Sequence, residues 1–186
     1  VVLHGVRLSE IKVGDTVAVL GLGPLGQLAA RLAKASGAKA VYAADVNKSR
    51  IDLARNVVDE AINSNEVDST ERILELTNDM GPDIVFECSG NVAASQQSIT
   101  LPKRGGTLVV IGICFEPIEV SPFLDLVFKQ LTIKGSFHSS LSDFVQAIDI
   151  IKSKTIEVDS LITSKIPLED IEEKGFEAAL GAEGGK

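Results

Sequence analysis

Apolar positions along the chain change period repeatedly, and the changes mark out successive elements. A short β-rich run at 16–20 (TVAVL) gives way at 24–36 to Leu25, Leu28, Ala29, Leu32 and Ala33, spaced as one face of a helix. Residues 39–44 read as a second strand and 47–57 as a second helix, with Ile51, Ala54 and Val58 on one side. A short third strand is expected at 60–62. A helix at 70–77 follows, opened by Ser69 and Thr70, residue types that cap helix N-termini well. DIVFE at 83–87, GTLVVI at 106–111 and a run at 131–134 read as further strands, with a helix at 92–100 between the first two. SDFVQAIDIIK at 142–152 is a further amphipathic helix, and helical patterns also open the chain at 1–11 and close it. Strands apolar on both faces and separated by helices predict a parallel sheet covered on both sides. The expected class is therefore α/β, a doubly wound parallel sheet (Rossmann fold) in a single domain.

Composition narrows the partners. A chain of 186 residues that is 45% hydrophobic buries one domain-sized core. A net charge of −8 disfavours both a nucleic-acid backbone and an anionic membrane as partners. No apolar run approaches the roughly 18 residues of a membrane span, and no signal-peptide pattern is present. A soluble, cytoplasmic chain is expected. Cys88 and Cys114, with His4 and His138 as the only imidazoles, are too few and too scattered for a structural zinc site. Both cysteines are expected as reduced, buried thiols.

The stretch VAVLGLGPLGQLAA at 17–30 carries Gly21, Gly23 and Gly26 in G-x-G-x-x-G spacing. Gly21 permits a tight turn out of the strand, Gly23 leaves room for a pyrophosphate against the backbone, and Gly26 lets the helix pack closely on the sheet. Pro24 suits the first helical position, and the remaining N–H groups of that first turn, with the helix dipole, favour an anion. Asp45 ends the next strand at about the 20-residue spacing of a dinucleotide site. The context predicts a dinucleotide, against a structural turn or another adenosine-containing ligand. A carboxylate at 45 accepts ribose hydroxyls and repels a 2′-phosphate, which favours NAD over NADP. Arg50 is read as a contact to the adenosine ribose, with a 2′-phosphate contact or a solvated helix-face cation as the alternatives.

Six motifs together carry a family resemblance: HGVRLSEIKVGDTVAVLGLGPLG at 4–26, DVNKSRIDLA at 45–54, FECSG at 86–90, GGTLVVIG at 105–112, IKGSF at 133–137 and LITSKIPLEDI at 161–171. The chain resembles, over nearly its whole length, the coenzyme-binding domain of zinc-type medium-chain alcohol and polyol dehydrogenases, such as those acting on sorbitol, butanediol and threonine. The resemblance implies that Gly21, Gly23, Pro24, Leu25 and Gly26 hold the NAD pyrophosphate and that Asp45 and Arg50 meet the adenosine ribose. It implies that Cys88, Ser89 and Gly90 pass the coenzyme ribose by backbone. Main-chain groups of Ile111, Gly112 and Ile113, and of Ser136, Phe137 and His138, would hold the nicotinamide carboxamide. Cys88 and Ile111 are core residues in either reading, and His138 reads as a loop histidine. No catalytic residue and no metal ligand is assigned.

In proteins of this family a catalytic domain with the zinc ligands precedes the coenzyme domain. Residues 1–186 are therefore expected to be an NAD-binding Rossmann domain, a fragment of a longer dehydrogenase lacking the zinc-binding catalytic domain, with zinc only in that missing part. The full-length enzyme would pass hydride between a secondary alcohol and NAD, and the fragment alone would not turn over. IEEKGFEAALGAEGGK, with Lys174 and Gly175 inside a helical pattern, departs from the family and leaves the alignment beyond Ile171 open. A non-enzymatic NAD- or nucleotide-sensing regulatory domain is the alternative, and a methyltransferase is a third possibility. A short-chain dehydrogenase is excluded because Tyr42 is the only tyrosine and no lysine follows it four residues later. The run at 131–134 reads as an edge strand through which a homodimer could form.

Overall fold

The computed structural model describes residues 1–176. Six strands, β1 (Thr16–Leu20), β2 (Ala40–Asp45), β3 (Glu60–Asn63), β4 (Ile84–Glu87), β5 (Thr107–Val110) and β6 (Thr132–Gly135), form one sheet in the order β3-β2-β1-β4-β5-β6. Every pairing is parallel, with Val17 beside Val41 on one flank and beside Ile84 on the other. This is the doubly wound order, in which the strand sequence reverses between β1 and β4 and opens a crevice at their carboxyl ends.

Period-two alternation decides which residue faces which layer. Val17 and Val19 of β1, Val41 and Ala43 of β2, and Phe86 of β4 point to one side. There they meet α1 (Val2–Ser9), α2 (Pro24–Ala35) and α3 (Lys48–Ala54) through Val6, Ala29, Ala30, Ala33, Ile51 and Ala54. Ala18, Leu20, Ala44, Val85 and Leu108 point the other way, against Ile73 of α4 (Ser69–Leu76) and Ile99 of α5 (Val92–Thr100). The strands are apolar on both faces because both faces are covered. Phe86, fully buried at the sheet centre, contributes about 1.5–3 kcal/mol by its burial alone.

A sixth α-helix, α6 (Leu141–Lys152), follows β6, which forms the sheet edge expected for 131–134. Three readings need correction. The second helix stops at Ala54 rather than at 57, because the chain turns there, with the N–H groups of Val57 and Val58 both donating to the Ala54 carbonyl. The cap of α4 is Asp68, not Ser69 or Thr70: its carboxylate accepts from two N–H groups, those of Thr70 and Glu71. Cys114 is only partly buried, whereas Cys88 is buried as expected. A π-helical turn at Pro122–Phe128 was not foreseen, since none of its residues is buried and no core-facing stripe announces it. Residues beyond 176 in the closing helical pattern lie outside the described residues.

Candidate functional site

The glycine stretch occupies the turn between β1 and α2, and its three glycines differ in what surrounds them. Gly21 has φ +90°, and its N–H donates to the Ala44 carbonyl at 2.8 Å. A Cβ there would stand 2.7 Å from the Ser89 side chain, so only glycine fits the turn. At Gly26 a Cβ would overlap the Gly21 carbonyl oxygen and lie 2.8 Å from its carbon, which is how close α2 comes to β1. Gly23 is the opposite case: its φ of −63° and ψ of −174° suit any residue, and a Cβ would meet nothing within 4 Å. Neither the fold nor the backbone demands a glycine at 23.

Gly23 is also the N-cap of α2, which no side chain caps and which has Pro24 in its first turn. Four other α-helices are capped by side chains, α3 by Asn47, α4 by Asp68, α5 by Asn91 and α6 by Ser140, while α1, which starts at Val2, shares the lack of a side-chain cap. The first-turn donors of α2, with the positive end of its dipole, are thus directed at open space beside Gly23.

That space is a crevice of about 540 Å³ at the β1–β4 switch point. Gly21, Gly23, Pro24 and Leu25 form its floor; Asp45, Val46 and Arg50 line the β2 side, and Cys88, Ser89 and Asn91 the β4 side. Ser64, Ser69, Ala93, Ala94 and Gln97 close it from β3, α4 and α5. Asp45 is buried, and both of its carboxylate oxygens are engaged by backbone. Its Oδ2 accepts from the Leu22 N–H at 2.6 Å and its Oδ1 from the Asn47 N–H at 2.8 Å, so the carboxylate ties the glycine turn to the end of β2. Arg50 Nη1 lies 3.9 Å from Oδ2, which places a cation at the same end of the crevice.

Of the positions singled out in the sequence, Gly21, Gly23, Pro24, Leu25, Asp45, Arg50, Cys88 and Ser89 converge on this crevice. Gly26 and Gly90 do not line it. Ile111, Gly112 and Ile113 follow β5, and Ser136, Phe137 and His138 follow β6, outside the crevice at the ends of two adjacent strands. Ile111 is in the core, whereas Ile113 and Phe137 are exposed, and His138 has φ +58° with its ring edge-on to Phe137. The loop at 136–140 is anchored just beyond, where Asp143 accepts from Ser140 Oγ at 2.7 Å, from the Ser140 N–H at 2.8 Å and from Arg7 of α1, with His4 Nδ1 3.0 Å away. The Ser140 hydroxyl and N–H, then Arg7 and His4, hold the Asp143 carboxyl well below its ordinary range. Burial, with the Glu87 charge added, pushes the Cys88 thiol far up, away from the thiolate that reacts.

Sequence reasoning missed Val46, Ser64, Ser69, Asn91, Ala93, Ala94 and Gln97 as crevice residues. The available signal was topological: in a parallel sheet the segments just past β2, β3 and β4 share one end with the glycine turn. Among the described residues no three His, Cys, Asp or Glu converge as metal ligands, so this part of the chain does not fit a zinc ion. No described helix is long and apolar enough to cross a membrane.

Comparison with known proteins gives a consistent family. The family described as zinc-binding dehydrogenase matches residues 24–153. L-threonine 3-dehydrogenase of Bacillus licheniformis is 35% identical over 181 residues, which cover 96% of this chain and 52% of the relative. Sorbitol dehydrogenase of Halalkalibacterium halodurans is 32% identical over 169 residues, 90% of this chain and 49% of the relative. Among solved structures, 2R,3R-butanediol dehydrogenase from Bacillus subtilis superposes with a TM-score of 0.88 at 31% identity, covering 98% of this chain and 52% of that one. A structure described as a zinc-binding dehydrogenase from Sinorhizobium meliloti 1021 bound to NADP gives 0.80 at 36% identity, over 85% and 47% of the two chains. The chain spans about half the length of the curated relatives it matches.

Proposed function

Because the chain belongs to the zinc-binding dehydrogenase family, we propose that its crevice holds a nicotinamide dinucleotide, NAD(H) in preference to NADP(H), as the coenzyme domain of an enzyme oxidising a secondary alcohol or polyol. The observation that carries the reading is Gly23, a glycine whose missing side chain serves no internal purpose and leaves open space at an uncapped helix start. The first turn of α2 would receive the pyrophosphate, since its free N–H groups and dipole favour an anion. Asp45 and Arg50 would take the adenosine ribose. Backbone of Cys88, Ser89 and Gly90 would pass the second ribose, and main-chain groups of Ile111, Gly112 and Ile113 and of Ser136, Phe137 and His138 would hold the carboxamide. The bound dinucleotide supplies the hydride acceptor, while this chain's residues bind and orient it. Activation of the alcohol by zinc is assigned to the remainder of a longer protein, a reading supported by relatives about twice this length. A sensing domain would share the crevice but not the family.

Titration calorimetry with NADH, NADPH and S-adenosylmethionine tests the reading. NADH is expected to bind most tightly, and Asp45→Ser to narrow the gap to NADPH. Tighter binding of NADPH by the wild-type chain would defeat the Asp45 argument, a live contest given the NADP in the Sinorhizobium structure. Preference for S-adenosylmethionine would point to a methyltransferase. We further infer that two copies pair through β6, whose outer edge has no neighbouring strand among the described residues and whose Ile133 is exposed. Light scattering that finds only monomer at high concentration would count against it.

A further inference from the structure

Glu87, the last residue of β4, is completely buried, although a carboxylate is among the most costly groups to enclose. Its two oxygens have different surroundings. Oε1 accepts three hydrogen bonds, from the Ser89 N–H at 2.9 Å, the Ser89 hydroxyl at 2.5 Å and the Gly90 N–H at 3.0 Å. Oε2 is equally buried and has no hydrogen-bond partner among the described residues. It lies against the end of β5, where a Cβ on Gly112 would stand 2.5 Å from it. The Glu87 carbonyl meanwhile accepts from the N–H groups of Ile111 and Gly112 at 2.8 and 2.9 Å. On its other side the Ser89 turn abuts Gly21, as described above. One residue therefore bonds to the turn after β4 through its side chain and to the turn after β5 through its backbone, at the joint between them.

We propose that Glu87 is a positioning residue for the nicotinamide-ribose half of the dinucleotide site. Its Oε1 gathers the N–H groups of residues 89 and 90 so that the turns after β4 and β5 present one continuous backbone surface. The proposal rests on the dinucleotide reading. The adenosine ribose would be set from β2, on the far side of β1, where no hydrogen bond of this carboxylate reaches. What Glu87 supplies is an acceptor at a fixed place rather than a charge. Glu87→Gln keeps an oxygen at the Oε1 position and loses the charge, whereas Glu87→Asp keeps the charge and withdraws the acceptor by one methylene.

The chain and both variants, checked for folding by thermal melts, are titrated with NADH and with ADP, which lacks the distal half. Glu87→Asp is expected to weaken NADH at least tenfold and ADP less than twofold, and Glu87→Gln to bind NADH within threefold of wild type. Should Glu87→Asp not fold, Ser89→Ala removes one of the three donors and is expected to weaken NADH threefold to tenfold with ADP unchanged. Parallel loss of NADH and ADP would mark a merely structural role and overturn the proposal. So would equal impairment in the Gln and Asp variants, or unchanged NADH binding in Glu87→Asp or its substitute. A wild-type chain that binds neither ligand would instead defeat the dinucleotide reading beneath it.

Discussion

Gly23→Ala separates what the fold needs from what a ligand needs. The added methyl meets no protein atom within 4 Å, and the backbone at φ −63° is ordinary for alanine. The fold should therefore tolerate it. Reduced freedom of the unfolded chain, worth about 0.4–1 kcal/mol, is offset by the poorer N-capping of alanine, so stability is expected to change by less than about 1 kcal/mol. The methyl instead occupies the space where a pyrophosphate would approach the first turn of α2. Displacing the anion from even one charge-assisted N–H contact costs about 1.5–3 kcal/mol, which at roughly 1.4 kcal/mol per decade is an affinity loss of about 10- to 100-fold. Calorimetric titration with NADH, paired with urea unfolding of the same samples, reads both quantities. A variant that binds NADH as tightly as wild type would refute the assignment of this space to the pyrophosphate. A variant that loses more than about 1 kcal/mol of stability would refute the claim that the glycine is not structural.

Gly26→Ala should do the reverse, costing about 1–3 kcal/mol or more in urea unfolding because its Cβ falls on the Gly21 carbonyl; unchanged stability would mean that α2 can move off the sheet freely. Asp143 titrates below its ordinary value in the folded chain, so its contribution to stability is full above about pH 4 and fades as pH falls further. Asp143→Asn should accordingly melt below wild type at pH 7, with the gap closing under pH 4, and a gap constant from pH 3 to 7 would contradict this. Iodoacetamide at pH 8 should label Cys114 in the native chain and reach Cys88 only after denaturation, as followed by mass spectrometry; equal labelling would show that the Cys88 pocket opens.

The parallel sheet and its covering helices were legible because strands such as VAVL and IVF are apolar at every position, which only a doubly covered sheet requires. Boundaries were less so. Val58 follows the α3 stripe at helical spacing and is buried, but it reaches the core from a turn, and hydrophobic period alone cannot tell the two apart. Asp68 and Ser69 are equally good caps by residue type, so preference alone does not say which of them opens α4; the backbone places Asp68 there, accepting from two N–H groups. At the site, the glycine spacing and Asp45 were readable since each answers a local steric or charge demand. The bond from Asp45 to the Leu22 N–H, and Glu87 beneath the Ser89 turn, were not, because both depend on which strand ends become neighbours.

The strand order also makes the site modular. The ends of β2 and β5 are three strand intervals apart, roughly 14 Å at about 4.8 Å each. Substitutions separated by more than about 7–10 Å without shared partners combine nearly additively. On the proposed reading, coenzyme choice at Asp45 would drift, or be engineered, independently of residues 111–113, and one phosphate preference could be exchanged for another while the carboxamide end keeps its shape.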